Sequence, residues 1–385
     1  MREYRLEELF DLQMGKTPSR NNSDYWDDGT NDWISIRDLS NSGKYIEDTK
    51  EKLSDNAIEE SGIKLIPENT VIMSFKLSIG KVAITTRPMF SNEAIMAFHD
   101  KGLISISPEY FYYLFLGKEW SAGSNKAVMG ITLNKATLSK VKIKPHDFTT
   151  QQNIVNILNK SSEIIILRKR KLEELDNLIK SRFVEMFGDP IQNPMEWGMK
   201  TVDEVCSSIY GGGTPSKQHP EYYDGDIPWV TPKDMKSMFI LDSIDHINEL
   251  GINNSSTKLA PVDSILMVIR SGILKHTLPV AINKVPVTVN QDMKIFITND
   301  TISTYFLAYL FKMIEPDVLT GVRAVTADNI DFTVFRNRLI PVPPIDLQND
   351  YVQVVEQVDK LKVEVQKSLD ETQILFDSLM QAYFE

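Results

Sequence analysis

Lys16 and Thr17 follow a glycine in the order that closes a phosphate-binding P-loop, so nucleotide binding is the first chemistry that this chain suggests. A P-loop also needs a leading glycine, where the phosphate cradle begins, and Phe10 occupies that position. The segment recurs later as Gly212-Gly213-Thr214, with glycine in place of the lysine. Both segments are therefore predicted to form tight turns rather than nucleotide sites.

Other patterns that would indicate catalysis are incomplete. Adenine methylation needs a proline pair between a polar and an aromatic residue, but Pro343-Pro344 lies between Val342 and Ile345. No glycine-rich loop for S-adenosylmethionine follows a predicted strand. The 5 histidines are scattered without metal-ligand spacing, and the single cysteine, Cys206, has no histidine near it in sequence. We expect no catalytic site, no metal site and no cofactor bound by this chain.

The chain carries one order of segments twice. Residues 15–19 (GKTPS) recur as residues 212–216 (GGTPS), and Trp33 to Asp38 recurs as Trp229 to Asp234. The other repeated segments are 67–76 with 261–270, 92–94 with 290–292, 110–115 with 305–310, and 141–145 with 339–343. Each half runs from a loop through strands, a helix and further strands to a proline stop. The duplication predicts two similar domains that face similar targets.

A long helix is predicted after each proline stop, because apolar residues recur there in alternating steps of three and four. The predicted seam residues are Ile154, Leu158, Ile165, Leu172, Leu175 and Ile179 in the first helix, and Val354, Val358, Leu361, Val365, Leu375 and Leu379 in the second. Each helix would be roughly 57 Å long. Since a whole domain lies between them in sequence, antiparallel pairing is the simplest arrangement, with the domains at opposite ends of a rod. The alternative is that each helix packs only on its own domain.

The predicted fold is therefore α+β, with a pseudo-two-fold repeat and two antiparallel coiled-coil helices separating the domains. The first domain is assigned to residues 1–149 and the central helix to 150–187. The second domain is assigned to 188–346 and the C-terminal helix to 347–385. A chain of 385 residues exceeds the usual size of one hydrophobic core, which agrees with two domains.

Bulk composition places the chain in the cytoplasm but leaves its partners open. One cysteine forms no internal disulfide, the N-terminal segment is charged, and no apolar run approaches the length of a membrane span. The net charge of −11 argues by itself against nucleic acid, because phosphates are neutralised by Lys and Arg. A sum over the chain conceals local basic patches, however, so acidity alone does not exclude nucleic acid.

Polar and cationic residues recur in the repeated loops and at the ends of the repeated strands. The candidate DNA contacts are Lys16, Ser19, Arg20, Arg37, Lys76, Ser78 and Lys81 in the first half, and Ser216, Lys217, Lys233, Arg270, Ser271, Lys275 and His276 in the second. Lys and Arg anchor phosphates or read guanine edges, and such residues at equivalent places favour a shared function. For any one of them, a solvated surface position is the alternative.

The order of these segments resembles the specificity subunit of Type I restriction–modification systems. The resemblance is carried by the paired Gly-x-Thr-Pro-Ser loops, the Trp-to-Asp segments, and the strands that end at Lys76 and Arg270. Glutamines soon after the proline stops (Gln151, Gln348) and the aromatic ends of both long helices complete it. It covers essentially the whole chain, and the order and duplication are more specific than any single motif.

The resemblance implies two target recognition domains of mixed α/β structure with a twisted sheet, each reading one half of a split site in double-stranded DNA. The helices would set the spacing and dock two modification subunits, which carry the adenine methyltransferase chemistry and bind S-adenosylmethionine; restriction subunits would join that core. Because the halves differ in detail, as at Lys16 and Gly213, two different half-sites are expected. Two alternatives are a free-standing DNA-binding regulator and a coiled-coil scaffold with two protein-binding heads.

Overall fold

The computed structural model describes residues 2–76, 78–120, 133–324 and 328–384. The chain forms two compact units: the first is Met1–Lys169 with Lys367–Glu385, and the second is Arg170–Gln366. Two 40-residue helices, α6 (Phe148–Phe187) and α11 (Ile345–Phe384), each contribute a part to both units. The predicted four-segment division at residues 149, 187 and 346 stays a prediction, since the compact units divide within the long helices.

The first unit contains short helices and a set of mostly short strands. Its strands are β1 (Tyr4–Arg5), β2 (Phe10–Met14), β3 (Asn31–Ile34), β4 (Tyr45–Ile46), β5 (Glu51–Leu53), β6 (Val71–Ser74), β7 (Val82–Thr85), β8 (Phe90–Ser91), β9 (Ile95–Asp100) and β10 (Lys142–Ile143). Its short helices are α1 (Leu6–Leu9), α2 (Ile36–Asn41), α3 (Asp55–Ser61), α4 (Pro108–Leu116) and α5 (Lys135–Ser139). A five-stranded sheet has the order β2-β9-β6-β7-β4, and a three-stranded sheet has the order β5-β3-β8.

The second unit has matching elements. Its strands are β11 (Met199–Thr201), β12 (Cys206–Gly211), β13 (Ile227–Val230), β14 (Phe239–Ile240), β15 (His246–Ile247), β16 (Ile265–Val268), β17 (Val280–Asn283), β18 (Thr288–Val289), β19 (Met293–Thr298), β20 (Arg323–Ala324), β21 (Asp328–Asn329) and β22 (Leu339–Pro341). Its short helices are α7 (Glu249–Asn253), α8 (Thr304–Met313), α9 (Glu315–Thr320) and α10 (Phe332–Arg336).

The two units share their sheet topology. The five-stranded sheet of the second unit has the order β12-β19-β16-β17-β14, and its three-stranded sheet has the order β15-β13-β18. In both five-stranded sheets the last pair is parallel (β4 with β7, β14 with β17) and the other pairs are antiparallel. This equivalence confirms the predicted mixed α/β fold with a duplicated domain.

The central strand of each five-stranded sheet is buried on both faces. In β6, Val71 and Met73 pack into the cluster that holds the α4 aromatic residues, whereas Ile72 packs into a second cluster. Alternate residues of a strand point to opposite faces, so a continuous apolar run of this kind fits a strand covered on both sides. The aromatic run of residues 110–115 is thus largely core.

A buried glutamine fixes the start of each long helix. The Gln151 side chain accepts a hydrogen bond from Ser107 N at 3.0 Å and donates one to His146 O at 2.9 Å. In the second unit, Gln348 accepts from Ser303 N at 2.8 Å and donates to Pro343 O at 2.8 Å. Both side chains are fully buried. The glutamines therefore tie each long helix to the N-terminus of the domain helix beside it.

The two long helices pair in antiparallel fashion within each unit. In the second unit, Lys362 Nζ lies 2.6 Å from Asp176 Oδ1. Farther along the pair, Tyr351 OH donates to Ile179 O at 3.3 Å, so residue numbers rise on one helix as they fall on the other. In the first unit, Arg168 donates to Ser368 O and to Thr372 Oγ1. These contacts agree with the predicted antiparallel pairing.

The predicted seam of the second helix is wrong at two positions. Leu361 and Leu375 are 48% and 54% exposed, whereas Val355 is 0% exposed and Leu369 is 8% exposed. The helix contact includes Lys362, which pairs with Asp176. Because Lys362 is polar, a search for apolar residues selects its neighbour Leu361 instead. The remaining predicted seam residues are buried or half-buried. Among the described residues, no helix combines the length and apolarity needed to cross a membrane.

Candidate nucleic-acid interface

The first Gly-x-Thr-Pro loop (residues 15–20) is held by the body of its domain. A Cβ atom on Gly15 would lie 2.2 Å from the carbonyl oxygens of Ser91 and Asn92, so the two backbone segments approach too closely for any residue other than glycine. Trp33 Nε1 donates to Lys16 O at 3.0 Å. The glycine and the tryptophan of the repeated motifs therefore position the loop.

The second Gly-x-Thr-Pro loop (residues 212–217) is held in the same way. A Cβ atom on Gly212 would lie 1.9 Å from the carbonyl oxygen of Val289. Trp229 Nε1 donates to Gly213 O at 3.0 Å, and Tyr223 OH donates to Pro215 O at 2.7 Å. The repeated motif is thus explained first by loop architecture, and the side chains at the exposed end of each loop are available for contacts.

The cation at the end of each loop differs in its surroundings. Arg20 lies over the Trp26 ring, with its guanidinium carbon 3.7 Å from the ring centroid, and pairs with both carboxylate oxygens of Glu51. Lys217 is exposed and has no hydrogen-bond or ion-pair partner in the part of the chain that the structure describes. Arg20 is therefore largely neutralised, whereas the charge of Lys217 is free.

Arg37, in the first turn of α2, and Lys233, in the turn after β13, occupy equivalent places in the two units. The segment around each cation is fixed by the aspartate that follows it: Ser35 N donates to Asp38 Oδ2 at 2.9 Å, and Thr231 N donates to Asp234 Oδ2 at 2.8 Å. Both cations are exposed and, within the described ranges, lack a hydrogen-bond or ion-pair partner. The aspartates of the Trp-to-Asp motif thus act locally, and the neighbouring cations are free to meet an anion.

Lys76 and Arg270 follow the equivalent central strands, but only one of them is paired. Arg270 Nε donates to Asp292 Oδ1 at 2.6 Å. Ala94 is the equivalent of Asp292 in the first unit. The equivalence is shown by matching hydrogen bonds, since Phe75 N donates to Ala94 O as Ile269 N donates to Asp292 O. The ammonium group of Lys76 lies 5.2 Å from the centroid of its neighbour Phe75 and has no carboxylate partner among the described residues.

The remaining candidates lie in the loops after these strands. In the first unit, Lys81 N donates to Ser74 Oγ at 3.1 Å, and the Ser74 hydroxyl donates to Ser78 O. In the second unit, Lys275 Nζ lies 3.8 Å from Asp328 Oδ2, and Ser271 precedes the short 3-10 helix Gly272–Lys275. The other candidates in these loops or in the Gly-x-Thr-Pro loops are Lys16, Ser19, Ser216 and His276, and all four are exposed. Lys16 Nζ donates to Ser61 O.

The Glu93 carboxylate lies near two of the predicted cations, Lys76 and Arg20. Thr17 Oγ1 donates to Glu93, and this hydrogen bond, with Lys76 and Arg20 nearby, lowers the pKa of Glu93. In the second unit, Thr214 Oγ1 donates to Gln291 at the equivalent place. Glu93 and Gln291 were not among the predicted contacts. Their signal was already present in the alignment of Asn92-Glu93 with Asn290-Gln291.

The groups that could perform other chemistry are poorly placed for it. Burial raises the pKa of the Cys206 thiol to about 12, which opposes formation of a nucleophilic thiolate. Burial also lowers the pKa of His99, whose Nε2 lies 3.1 Å from Gln13 Oε1. Among the described residues, no group of three or more His, Cys, Asp and Glu side chains is arranged to hold a metal ion.

The sequence of this chain matches a family profile described as the Type I restriction modification DNA specificity domain, over residues 1–177 and again over 194–372. The chain is 31% identical over 276 residues to the Type I restriction enzyme EcoR124I/EcoR124II specificity subunit of Escherichia coli. That match covers 68% of this chain and 65% of the relative, just under two thirds of its length. A Methanocaldococcus jannaschii relative, the Type I restriction enzyme MjaIX specificity subunit, is 24% identical, with 98% of this chain and 90% of the relative covered.

Solved structures share the fold at low sequence identity. The S subunit of a Type I restriction–modification system from M. genitalium superposes with a TM-score of 0.58 and 14% identity, covering 98% of this chain and 94% of that one. A chain from a structural study of complex assembly and conformational transition in the Type I R–M system gives a TM-score of 0.61 and 16% identity, with coverage of 100% and 97%. These similarities concern the fold alone.

Proposed function

The chain belongs to the Type I restriction–modification DNA specificity family, and from that premise we propose that it is the subunit that selects the DNA sequence for such a complex. Each domain reads one half of a bipartite site in double-stranded DNA. The chain itself is non-catalytic and acts in the cytoplasm. The observation that carries this proposal is a pair of exposed cations at equivalent places after β3 and β13, Arg37 and Lys233, neither of which has a hydrogen-bond or ion-pair partner among the described residues.

Electrostatics supports DNA binding despite the net charge of −11. The cations that lack a partner in the described part of the chain lie in or next to segments that recur in both domains, so each domain offers its own site for phosphate contacts. Phosphate contacts set position and base-edge contacts set sequence preference. The two domains differ in which cations are free, which supports two different half-sites and an asymmetric target.

The long helices supply surfaces for protein partners. Exposed apolar residues on the helix segments of the first unit are Phe148, Ile157, Ile164, Ile166, Leu167, Ile374 and Leu375, and those of the second unit are Leu178, Val184, Ile345, Leu361 and Val363. Exposed apolar side chains that gather on one face of a helix mark protein interfaces in many soluble proteins. We propose that they dock two methyltransferase subunits, which bind S-adenosylmethionine, and that restriction subunits join the same core. The helices then fix the spacing between the half-sites.

The direct test is to map N6-methyladenine across the genome of the source cell with and without this gene. The proposal expects that deletion abolishes methylation of one split motif, and that the motif reveals both half-sites. An unchanged methylome, with the partner methyltransferase expressed and active, would contradict it. Co-purification with that methyltransferase separates the specificity subunit from a free-standing DNA-binding protein. Salt-dependent binding to the bipartite duplex separates both of these from a scaffold that binds only proteins.

A further inference from the structure

Glu93 and Gln291 hold the same place in the two domains with different chemistry. Each is exposed, and each accepts a hydrogen bond from the threonine of its Gly-x-Thr-Pro loop, Thr17 or Thr214. The contact is the same, but one side chain is a carboxylate and the other an amide. The two domains therefore present different hydrogen-bonding groups from one frame.

The backbone around both positions is fixed by equivalent bonds. Asn92 N donates to Ile34 O at 3.1 Å, and the Asn92 side chain accepts from Ala94 N at 3.0 Å. In the second domain, Asn290 N donates to Val230 O at 3.0 Å, and its side chain accepts from Asp292 N at 3.1 Å. The residue between these anchors is thus held at the same point in each domain by an Asx turn.

The threonine contact leaves part of each side chain free. An ionised glutamate with one oxygen engaged still offers a second oxygen that only accepts hydrogen bonds. A glutamine whose oxygen is engaged still offers its two N–H donors and a remaining acceptor site. In the major groove a carboxylate suits the amino group of cytosine, whereas a glutamine amide suits the paired donor and acceptor of adenine.

The neighbouring charges make an exposed carboxylate at residue 93 compatible with DNA. Lys76 and Arg20 lie close enough to Glu93 to favour its ionised form. Lys76, which lacks a carboxylate of its own among the described residues, supplies a positive charge for the approaching backbone. Beside Gln291, the charge of Arg270 is balanced by Asp292, so an uncharged reader fits there.

We propose that Glu93 and Gln291 are equivalent base-reading positions, with Glu93 selecting cytosine in one half-site and Gln291 selecting adenine in the other. The assignment rests on the proposed function and deepens it. It names one specificity-determining side chain in each domain, both of them outside the set of cations that position the DNA.

The test exchanges the two side chains, as Glu93→Gln and Gln291→Glu, in the complete chain expressed with its methyltransferase. Because Gln291 already accepts from Thr214, glutamine at residue 93 can keep the bond from Thr17, so loss of that bond does not confound the result. The Glu93→Gln variant is expected to shift preference from cytosine to adenine at one position of one half-site, by roughly 5- to 150-fold. The other half-site stays unchanged. Gln291→Glu produces the opposite change in the other half-site.

Glu47→Gln, at an exposed residue, is the matched control for loss of one negative charge and leaves both half-sites unchanged. An exchanged variant that modifies the wild-type motif at the wild-type rate overturns the assignment. A variant that loses methylation is assayed by fluorescence anisotropy on duplexes that differ at single positions, and an unchanged ranking again overturns it. If the wild-type chain directs no split motif at all, the proposed function fails instead.

Discussion

The two domains share a backbone framework, but the cations that pair with carboxylates differ between them. In the first domain, Arg20 is paired with Glu51 while Lys76 has no carboxylate partner among the described residues. In the second domain the pattern is reversed, because Arg270 is paired with Asp292 and Lys217 is free within the described ranges. Among the described residues, the cation without a direct carboxylate contact therefore lies at the end of the central strand in one domain and at the end of the Gly-x-Thr-Pro loop in the other.

The contacts that hold the frame show no such difference. The tryptophan-to-loop hydrogen bond is 3.0 Å long in both domains, and a close-packed glycine begins each loop. A duplicated domain that keeps its internal bonds while its surface charges diverge is suited to present two different faces from one scaffold. If each domain reads one half-site, as proposed, differences between their surface side chains alone are enough for the two half-sites to have different sequences.

The largest expected difference between the units lies where the long helices end. Phe187 is 1% exposed and its ring centroid lies 4.8 Å from that of Phe306. At the equivalent place, Phe384 is half-buried and lies 5.5 Å from Tyr110. Phe187→Ala is expected to lower the free energy of unfolding by about 3–5 kcal/mol, and Phe384→Ala by about half as much. Chemical denaturation measures both, with exposed Val184→Ala as the control; equal losses would contradict the difference in packing.

Alanine at the loop glycines tests whether the frame is shared. The added Cβ atom would meet backbone oxygens at 2.2 Å on Gly15 and at 1.9 Å on Gly212, so both variants are expected to lose about 2–4 kcal/mol of stability. Gly43→Ala and Gly198→Ala are matched controls, since nothing lies within 4 Å of either added atom. Thermal unfolding measures the effect, and a loss confined to one domain would break the equivalence.

Alanine substitution of the loop-end cations sharpens the charge comparison. If Lys217 contacts a phosphate, as the proposed function expects, Lys217→Ala leaves the melting temperature unchanged and reduces the slope of log K against log salt concentration by about 1. Arg20→Ala is expected to cost about 1 kcal/mol of stability through its ring and carboxylate contacts. Its effect on the salt slope is smaller, since Glu51 already offsets its charge. Identical salt slopes for the two variants would contradict this reading.

The smallest expected effect is on pH dependence. Burial raises the pKa of Asp359, which accepts from Tyr309 OH at 3.0 Å, above the ordinary value of 3.8. Burial would also raise the pKa of Glu109, but hydrogen bonds from Lys44 and Tyr45 outweigh it and lower that pKa below 4.5.

Ionisation of Asp359 therefore opposes folding, and this cost grows as the pH rises above about 4. Ionisation of Glu109 favours folding, and that gain is lost as the pH falls below its ordinary value. From pH 4 to pH 7, the free energy of unfolding of Asp359→Asn is expected to rise relative to that of wild type. Over the same range, that of Glu109→Gln is expected to fall relative to that of wild type. Melting curves at both pH values check the opposite signs, and parallel shifts in the two variants would contradict them.

Much of the fold was predictable because each structural signal occurs in both halves of the duplicated sequence. The turn at each Gly-x-Thr-Pro loop and the helix starts near Gln151 and Gln348 could be read from either half and checked against the other. The seam of the second helix failed at Leu361 because Lys362 replaces an apolar seam residue there. Adding the repeat length to the buried positions of the first helix gives the buried positions of the second, as from Leu158 to Val355, and would have corrected the seam.

The state of the candidate cations was not predictable in the same way. Arg20 and Glu51 are far apart in sequence, and their pairing depends on how β5 lies beside the loop. Whether Asp292 or Ala94 faces the end of the central strand becomes visible only once the strands are in register. Sequence indicates where a cation recurs, whereas its free charge depends on tertiary neighbours.

The most direct test of two different reading domains is the affinity of the chain, in complex with its methyltransferase, for four duplexes at one fixed salt concentration. These carry both half-sites of the mapped motif, either half-site alone with the other scrambled, or two copies of one half-site at the same spacing. We expect the duplex with two different half-sites to bind most tightly, and each of the other three to bind at least tenfold more weakly, since each loses several base contacts. Equal or tighter binding to the duplex with two identical half-sites would contradict the account.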